Sequence, residues 1–331
     1  MLLLCLLAAS AAACDSFIFD DEGDCNPYYK VRFVYDMNMK YADAFPNEVN
    51  AVTLYAVDRA SGEIVWSRHE SGDALHEAGY TMDGPVDPGF YNFVAWAGDG
   101  HTTHFAVADA RLHHELDCRL DRDYAADGSA HVTTDLNRLY HGRLDDVELP
   151  DEQGVHTFTV PLVKNTNVFH IVLQHLSGEP LDAEDFTYEI SDANGLMGWD
   201  NALKADDVIT YHAWDKRSGT AGVELPQPEG RAPITQVSAA IADLTTARLV
   251  KGQDMRLNIR NKADNRTVVS IPVIDYCLLV KGHYDRPMTD QEYLDRQDEY
   301  SMVFFLDANN RWLAQQIYIN SWRVILNNTE I

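Results

Sequence analysis

Positive charge is what this sequence has least of: 26 Lys and Arg stand against 52 Asp and Glu, a formal net charge of −26. Such a surface repels phosphate backbones, so nucleic acid is not expected as a partner, and the acidity reads as a soluble, self-repelling exterior. Glycine and proline are also few, at 19 and 12 in 331 residues, while 46% of residues are apolar and 10% aromatic. These proportions exclude a fibrous repeat and a disordered chain, and the length allows two domains, each with its own core.

Catalytic signatures are missing as well. There is no Gly-rich phosphate loop, no nucleophile elbow and no His-Glu-x-x-His. His101 and His104, with His113 and His114 nearby, resemble metal ligands in type, but no second cluster at a matching spacing completes a site. Asp135-Leu136-Asn137 starts like a calcium loop, yet Leu139 stands where another oxygen donor is needed. The reading is a protein that is not an enzyme, with no catalytic, cofactor-binding or metal-binding residue.

One long apolar run opens the chain. MLLLCLLAASAAA, residues 1–13, is too short to span a bilayer but suits a signal-peptide core. Cys14 follows Ala11, Ala12 and Ala13 and resembles a lipobox cysteine, the residue that is acylated in bacterial lipoproteins. It departs from the usual pattern in having Ala11 where Leu is usual and no Lys or Arg before it; the alternative is an ordinary signal peptide cut near Ala13. Asp20-Asp21-Glu22 with Asp24 resembles the acidic signal that sends lipoproteins to the outer face of the outer membrane in Bacteroides-type bacteria. It reads equally as a solvated tether.

Of five cysteines, Cys5 falls in the signal and Cys14 carries lipid, leaving Cys25, Cys118 and Cys277. An odd number allows one bridge at most, and an oxidising compartment permits it. Cys25 with Cys118 is the pair expected.

Beyond the tether the chain reads as short strands separated by turn residues. YYKVRFVY (28–35), VNAVTLYAV (49–57), FYNFVAWA (90–97), VHTFTVPLV (155–163) and VFHIVLQ (168–174) alternate and are rich in β-branched and aromatic side chains. Further strands are expected at 186–190, 208–213, 234–241, 248–250, 256–260, 268–274, 302–306, 312–319 and 322–326. A short helix is expected over 289–297, capped by Thr289, and another over 107–115. Asp145 to Gly154, acidic and nearly free of apolar residues, reads as a linker. With no βαβ alternation the fold class is all-β, two tandem antiparallel sandwiches at 28–154 and 155–331, after a signal at 1–13 and a lipidated tether at 14–27. Trp66, Trp96 and Trp322 sit inside strands and read as core, whereas Trp199 lies in a loop and stays open as a sugar-stacking residue, with Trp214 beside it as a second.

Taken together, several segments resemble the FimB-type fimbrial anchor family of Bacteroides and its relatives. They are Cys14-Asp15-Ser16, Phe19 to Cys25, Tyr29 to Asp36, Asp43-Ala44-Phe45, Val52 to Tyr55, Pro88 to Tyr91, Ala95 to Gly98, Lys164 to Asn167, Gln291 to Tyr300 and Ile319 to Ile325. The resemblance implies a palmitate-bearing lipoprotein of two transthyretin-like sandwiches that attaches a fimbria to the outer membrane, facing the cell exterior, and limits its length. It implies fimbrial pilin subunits as partners, joined by strand complementation. Because lipid would hold the N-terminus at Cys14, the contact is expected away from it, at the last strand (Trp322, Val324, Leu326) or another free edge; that strand reads equally as a plain core strand. From another class, a surface lipoprotein binding glycans through loop aromatics remains the alternative.

Overall fold

The computed structural model describes residues 26–85, 87–100, 104–175, 180–223, 235–307 and 309–325, and strands dominate them. The first sheet runs in the order β3 (Ile64–Ser71), β2 (Ala51–Asp58), β5 (Gly89–Gly98), β10 (Leu139–Leu149), β11 (Gly154–Lys164), β1 (Pro27–Val34) and β4 (Met82–Asp83). β11 pairs antiparallel with β10 through Leu162 to Lys164, and parallel with β1 through Gly154 to Pro161. The sheet therefore folds over along β11 and closes a sandwich around Val31, Phe33, Leu54, Phe93, Val160 and Leu162. Alternate residues of β5 point the other way, so Val94 and Trp96 join the core of the second sandwich. Burial on both faces is why FYNFVAWA is almost continuously apolar.

In the second sandwich one sheet runs β16 (Asp215–Val223), β17 (Thr235–Ala247), β12 (Thr166–His175), β20 (Glu299–Leu306), β21 (Trp312–Ile319) and β22 (Trp322–Ile325). The facing sheet runs β19 (Thr267–Pro272), β18 (Arg256–Asn261), β13 (Phe186–Asp192), β15 (Ile209–His212), β9 (Ala130–Val132) and β8 (Asp123–Tyr124). Phe169, Ile171 and Phe304 from the first meet Tyr188, Tyr211 and Ile259 from the second in one cluster. A small sheet of β14 (Leu196–Met197), β7 (Cys118–Leu120) and β6 (Phe105–Val107) fills the seam. Helices are short: α1 (Phe45–Glu48), α2 (Val273–Leu279) and α3 (Asp290–Arg296). α3 begins as expected, the Thr289 hydroxyl accepting from Glu292 N at 3.1 Å.

Four expectations change. The sheets are mixed, not purely antiparallel, because β1 with β11, β12 with β20 and β15 with β9 run parallel. Asp145 to Gly154 is no linker but the end of β10 and its turn into β11: the register shifts between Leu144 and Val147 and Asp146 has φ 56°, so two acidic residues form a bulge in a continuous strand. Pairing accordingly places 154–164 in the first sheet and 123–132 in the second, and the seam does not fall at Gly154. Where a helix was read over 107–115, Val107 pairs with Cys118, Leu112 bridges Glu63, and one turn, His113–Glu115, is coiled. The strand expected at 248–250 is absent because β17 runs unbroken to Ala247, after which Arg248 turns to α3 and donates to both carboxylate oxygens of Asp295 at 2.9 Å.

Candidate strand-docking edge

β21 and β22 form a hairpin whose two loop residues, Asn320 and Ser321, both have left-handed φ, 48° and 70°. Such a turn matches the natural twist of paired strands and sets the register, Ile319 opposite Trp322 and Ile317 opposite Val324. The loop is pinned inward: Asn320 N donates to Ser301 O at 2.9 Å, and Ser301 N donates to the Asn320 side-chain oxygen at 2.8 Å. The Ile319 and Trp322 pair flanks a two-residue loop, so main-chain groups of Trp322 and Val324 face β21 while those of Arg323 and Ile325 point away from the sheet. Trp322 and Val324 share the core-side face with buried Ile317 and Ile319. Val324 packs against the core. Trp322 is 41% exposed and lies flat on the His283 ring at 4.2 Å, which corrects its reading as a core residue: among the described residues β22 is the last strand of its sheet. Ile325 is 61% exposed, and Leu326 lies outside the described residues.

Other sheet ends among the described residues are blunted in the ways that prevent edge pairing. β3 carries Arg68, His69 and Glu70, β16 carries Lys216 and Arg217, β4, β8 and β14 are two residues long and β6 three, and β19 ends in Pro272 before α2. β22 offers one charge, Arg323, among Trp322, Val324 and Ile325. Its sheet also has a half-buried apolar row on the outward face, Ile241, Val172, Val303 and Tyr318, joined strand to strand by register and continuing onto Arg323.

Trp96 is buried as expected and Trp66 packs against the first core. Trp199 is not an open platform: the Arg143 guanidinium lies 4.2 Å over its ring, His113 meets it edge-on, and its carbonyl accepts from His141 Nε2 at 2.8 Å. Trp214, 37% exposed, donates to Thr245 Oγ1 at 3.0 Å. His104 is engaged with Thr134 and Asn137. Cys118 is a buried free thiol whose pKa burial pushes up to about 12. Its expected partner Cys25, like Cys14, lies outside the described residues.

A sequence profile of the fimbrillin-A associated anchor proteins Mfa1 and Mfa2 matches residues 21–328. The chain belongs to this fimbrial anchor family. A relative, the minor fimbrium anchoring subunit Mfa2 of Porphyromonas gingivalis, is 19% identical over 319 residues, 95% of this chain and 90% of Mfa2. The solved structure of Mfa2 shares the fold, with a TM-score of 0.65 over 92% of this chain and 100% of that one at 17% identity. Two proteins of Bacteroides thetaiotaomicron are more alike in sequence. A candidate adhesin is 33% identical, with a TM-score of 0.79 over 93% of this chain and 100% of its own; a candidate polysaccharide-binding protein is 30% identical, with 0.76 over 92% and 99%. The resemblance read from the sequence holds at the level of the fimbrial anchor family and its all-β fold.

Proposed function

We propose that this member of the anchor family is an outer-membrane lipoprotein, acylated at Cys14 and facing the cell exterior, that anchors or joins a fimbria through β-strand contacts and bears on its length. It acts by binding, without catalysis. The observation that carries the reading is β22, a largely apolar edge strand among the described residues and far in sequence from the tether, in a protein whose family is associated with fimbriae. An unpaired edge is a template: main-chain hydrogen bonds give affinity and alternate side chains find pockets. Mass spectrometry of the N-terminal peptide from native membranes, with surface proteolysis and pull-down from the same sample, tests it. Acylated Cys14 on an exposed protein that retains a fimbrial subunit is expected; a different, unmodified N-terminus with no subunit retained would refute it.

Glycan binding is a second reading, favoured by exposed Trp214 and by the 30%-identical relative described as a polysaccharide-binding candidate. Oligosaccharide affinity lost in Trp214→Ala would support it, and unchanged affinity would end it.

A further inference from the structure

Where the two sandwiches meet, the surface opens into a cavity of about 740 Å³. Three parts of the chain wall it: the segment that follows β1 and runs into α1, the link from β9 to β10, and the ends of β11, β12, β17 and β20. The first wall is braced from both sides. Asp43 Oδ1 accepts from Tyr35 N at 3.0 Å and from Phe45 N at 3.1 Å, and Arg296 of α3 donates to the carbonyls of Asp36 and Asn38. At the base, Lys164 bonds Asp298 and lies 3.5 Å from Glu48, whose Oε2 also accepts from the Tyr140 hydroxyl at 2.8 Å. The cavity is therefore preformed, and a ligand entering it has no loop to order.

The polar groups left over in the walls decide what fits. Tyr35 is 1% exposed, yet its hydroxyl has no hydrogen-bond partner among the described residues and lies within electrostatic reach of Glu48, Asp298 and Arg138 in the same cavity. The Asn47 side-chain amide and the Arg138 guanidinium also make no hydrogen bond or ion pair among the described residues; only their main-chain N–H groups are engaged. Asp135 accepts from Thr245 Oγ1 through one carboxylate oxygen and keeps the other. An apolar ligand would strip water from these groups and return nothing, whereas hydroxyls donate and accept alike. Thr245 Oγ1 in turn accepts from Trp214 Nε1 at 3.0 Å, which fixes a partly exposed indole beside the rim. A sugar ring has a hydroxylated edge for the polar groups and an apolar C–H face for the indole. Five carboxylates, on Asp43, Glu48, Asp135, Asp298 and Glu299, outnumber the cations of Lys40, Arg138 and Lys164 in the lining, which repels a polyanionic sugar.

We propose that this cavity binds a short neutral oligosaccharide, with Asn47, Asp135 and Arg138 hydrogen-bonding its hydroxyls, Tyr35 meeting the innermost one, and Trp214 stacking on a ring at the rim. The proposal rests on the glycan reading of Trp214 and gives that reading a site. Its volume falls within the roughly 300–1,000 Å³ of small-molecule pockets, which favour seams of this kind.

Calorimetric titration of the full chain with maltotriose, cellotriose and mannotriose, and with trigalacturonate and tri-lysine for comparison, tests the site. Binding of at least one neutral trisaccharide is expected, weakened about 10- to 100-fold in Asn47→Ala and in Asp135→Asn, exposed positions whose exchange leaves both cores untouched. Circular dichroism melts of the variants confirm that they fold. Binding of a neutral sugar that is lost in Trp214→Ala but unchanged in both cavity variants would overturn the cavity site and leave the glycan reading standing. No neutral trisaccharide bound would overturn both, and a preference for trigalacturonate or tri-lysine would overturn the ligand class.

Discussion

His141 shows how much one buried side chain can decide. It sits on β10 in the seam between the sandwiches, 4% exposed, edge-on to Trp96 at 4.6 Å, donating from Nε2 to the Trp199 carbonyl. Burial lowers its pKa to about 4, with Arg248 and Arg143 nearby pushing the same way. Folded, the ring stays neutral; unfolded, it takes a proton near pH 6.5. The folded value being the lower, His141 costs nothing above about pH 7, and stability is lost as the pH falls from about 6.5 towards 4, by roughly 3 kcal/mol in all. Urea unfolding between pH 4 and 8 is expected to show this slope, and His141→Gln to flatten it; equal slopes would remove the assignment. Nothing in the sequence marked this residue, because the Trp199 carbonyl that holds it comes from a loop 58 positions away. The same is true of His131 and His212, whose rings meet at 2.8 Å only once β9 and β15 pair. Trp322, conversely, was conspicuous in the sequence but misplaced there, since alternation tells which face a residue shares and not whether a further layer covers that face.

At the scale of the element, strands with strict alternation were legible, and so was the Thr289 cap. β10 was not, because its Asp145-Asp146 bulge has the composition of a turn, nor was β16, whose DKRSGTAGV has almost no apolar face. β22 was legible as a strand, and its edge position gives a sharp test. Since the main chain of Arg323 points outward, Arg323→Pro removes a donor facing solvent and leaves the hairpin ladder to β21 intact. The variant is expected to melt within about 1 kcal/mol of the parent, in the range of exposed surface changes, yet to lose capture of fimbrial subunits in a pull-down. Full capture by a folded Arg323→Pro chain would show that another surface is used.

For the whole molecule, pairing partners distant in sequence could not be read from local pattern, and they are what fix the division of the chain. The second sandwich takes β8 and β9 from residues before Gly154, and its core includes Val57, Val94 and Trp96 of the first. Further ties cross the seam: Lys164 lies within 3.5 Å of Glu48 and bonds Asp298, Asn165 and Asn201 exchange amide hydrogen bonds, and Arg296 donates to the carbonyls of Asp36 and Asn38. One cooperative unfolding transition is therefore expected by calorimetry. A fragment of residues 155–331 is expected to lack protection from hydrogen exchange in β13 and β15; two separate transitions, or a stable fragment, would contradict this.

The parallel pairing of β1 with β11 has a mechanical meaning. β1 starts at Pro27, and the far end of β11 leads through Asn165 directly into β12 and the second sandwich. A pull between residue 26 and the second sandwich draws these two strands in opposite directions along their common axis. All eight paired positions from Pro27 to Val34 are then loaded together in shear, and none can be peeled off alone. The tie between the two ends of the molecule is a lap joint, which bears a sustained drag far better than a zip of the same length.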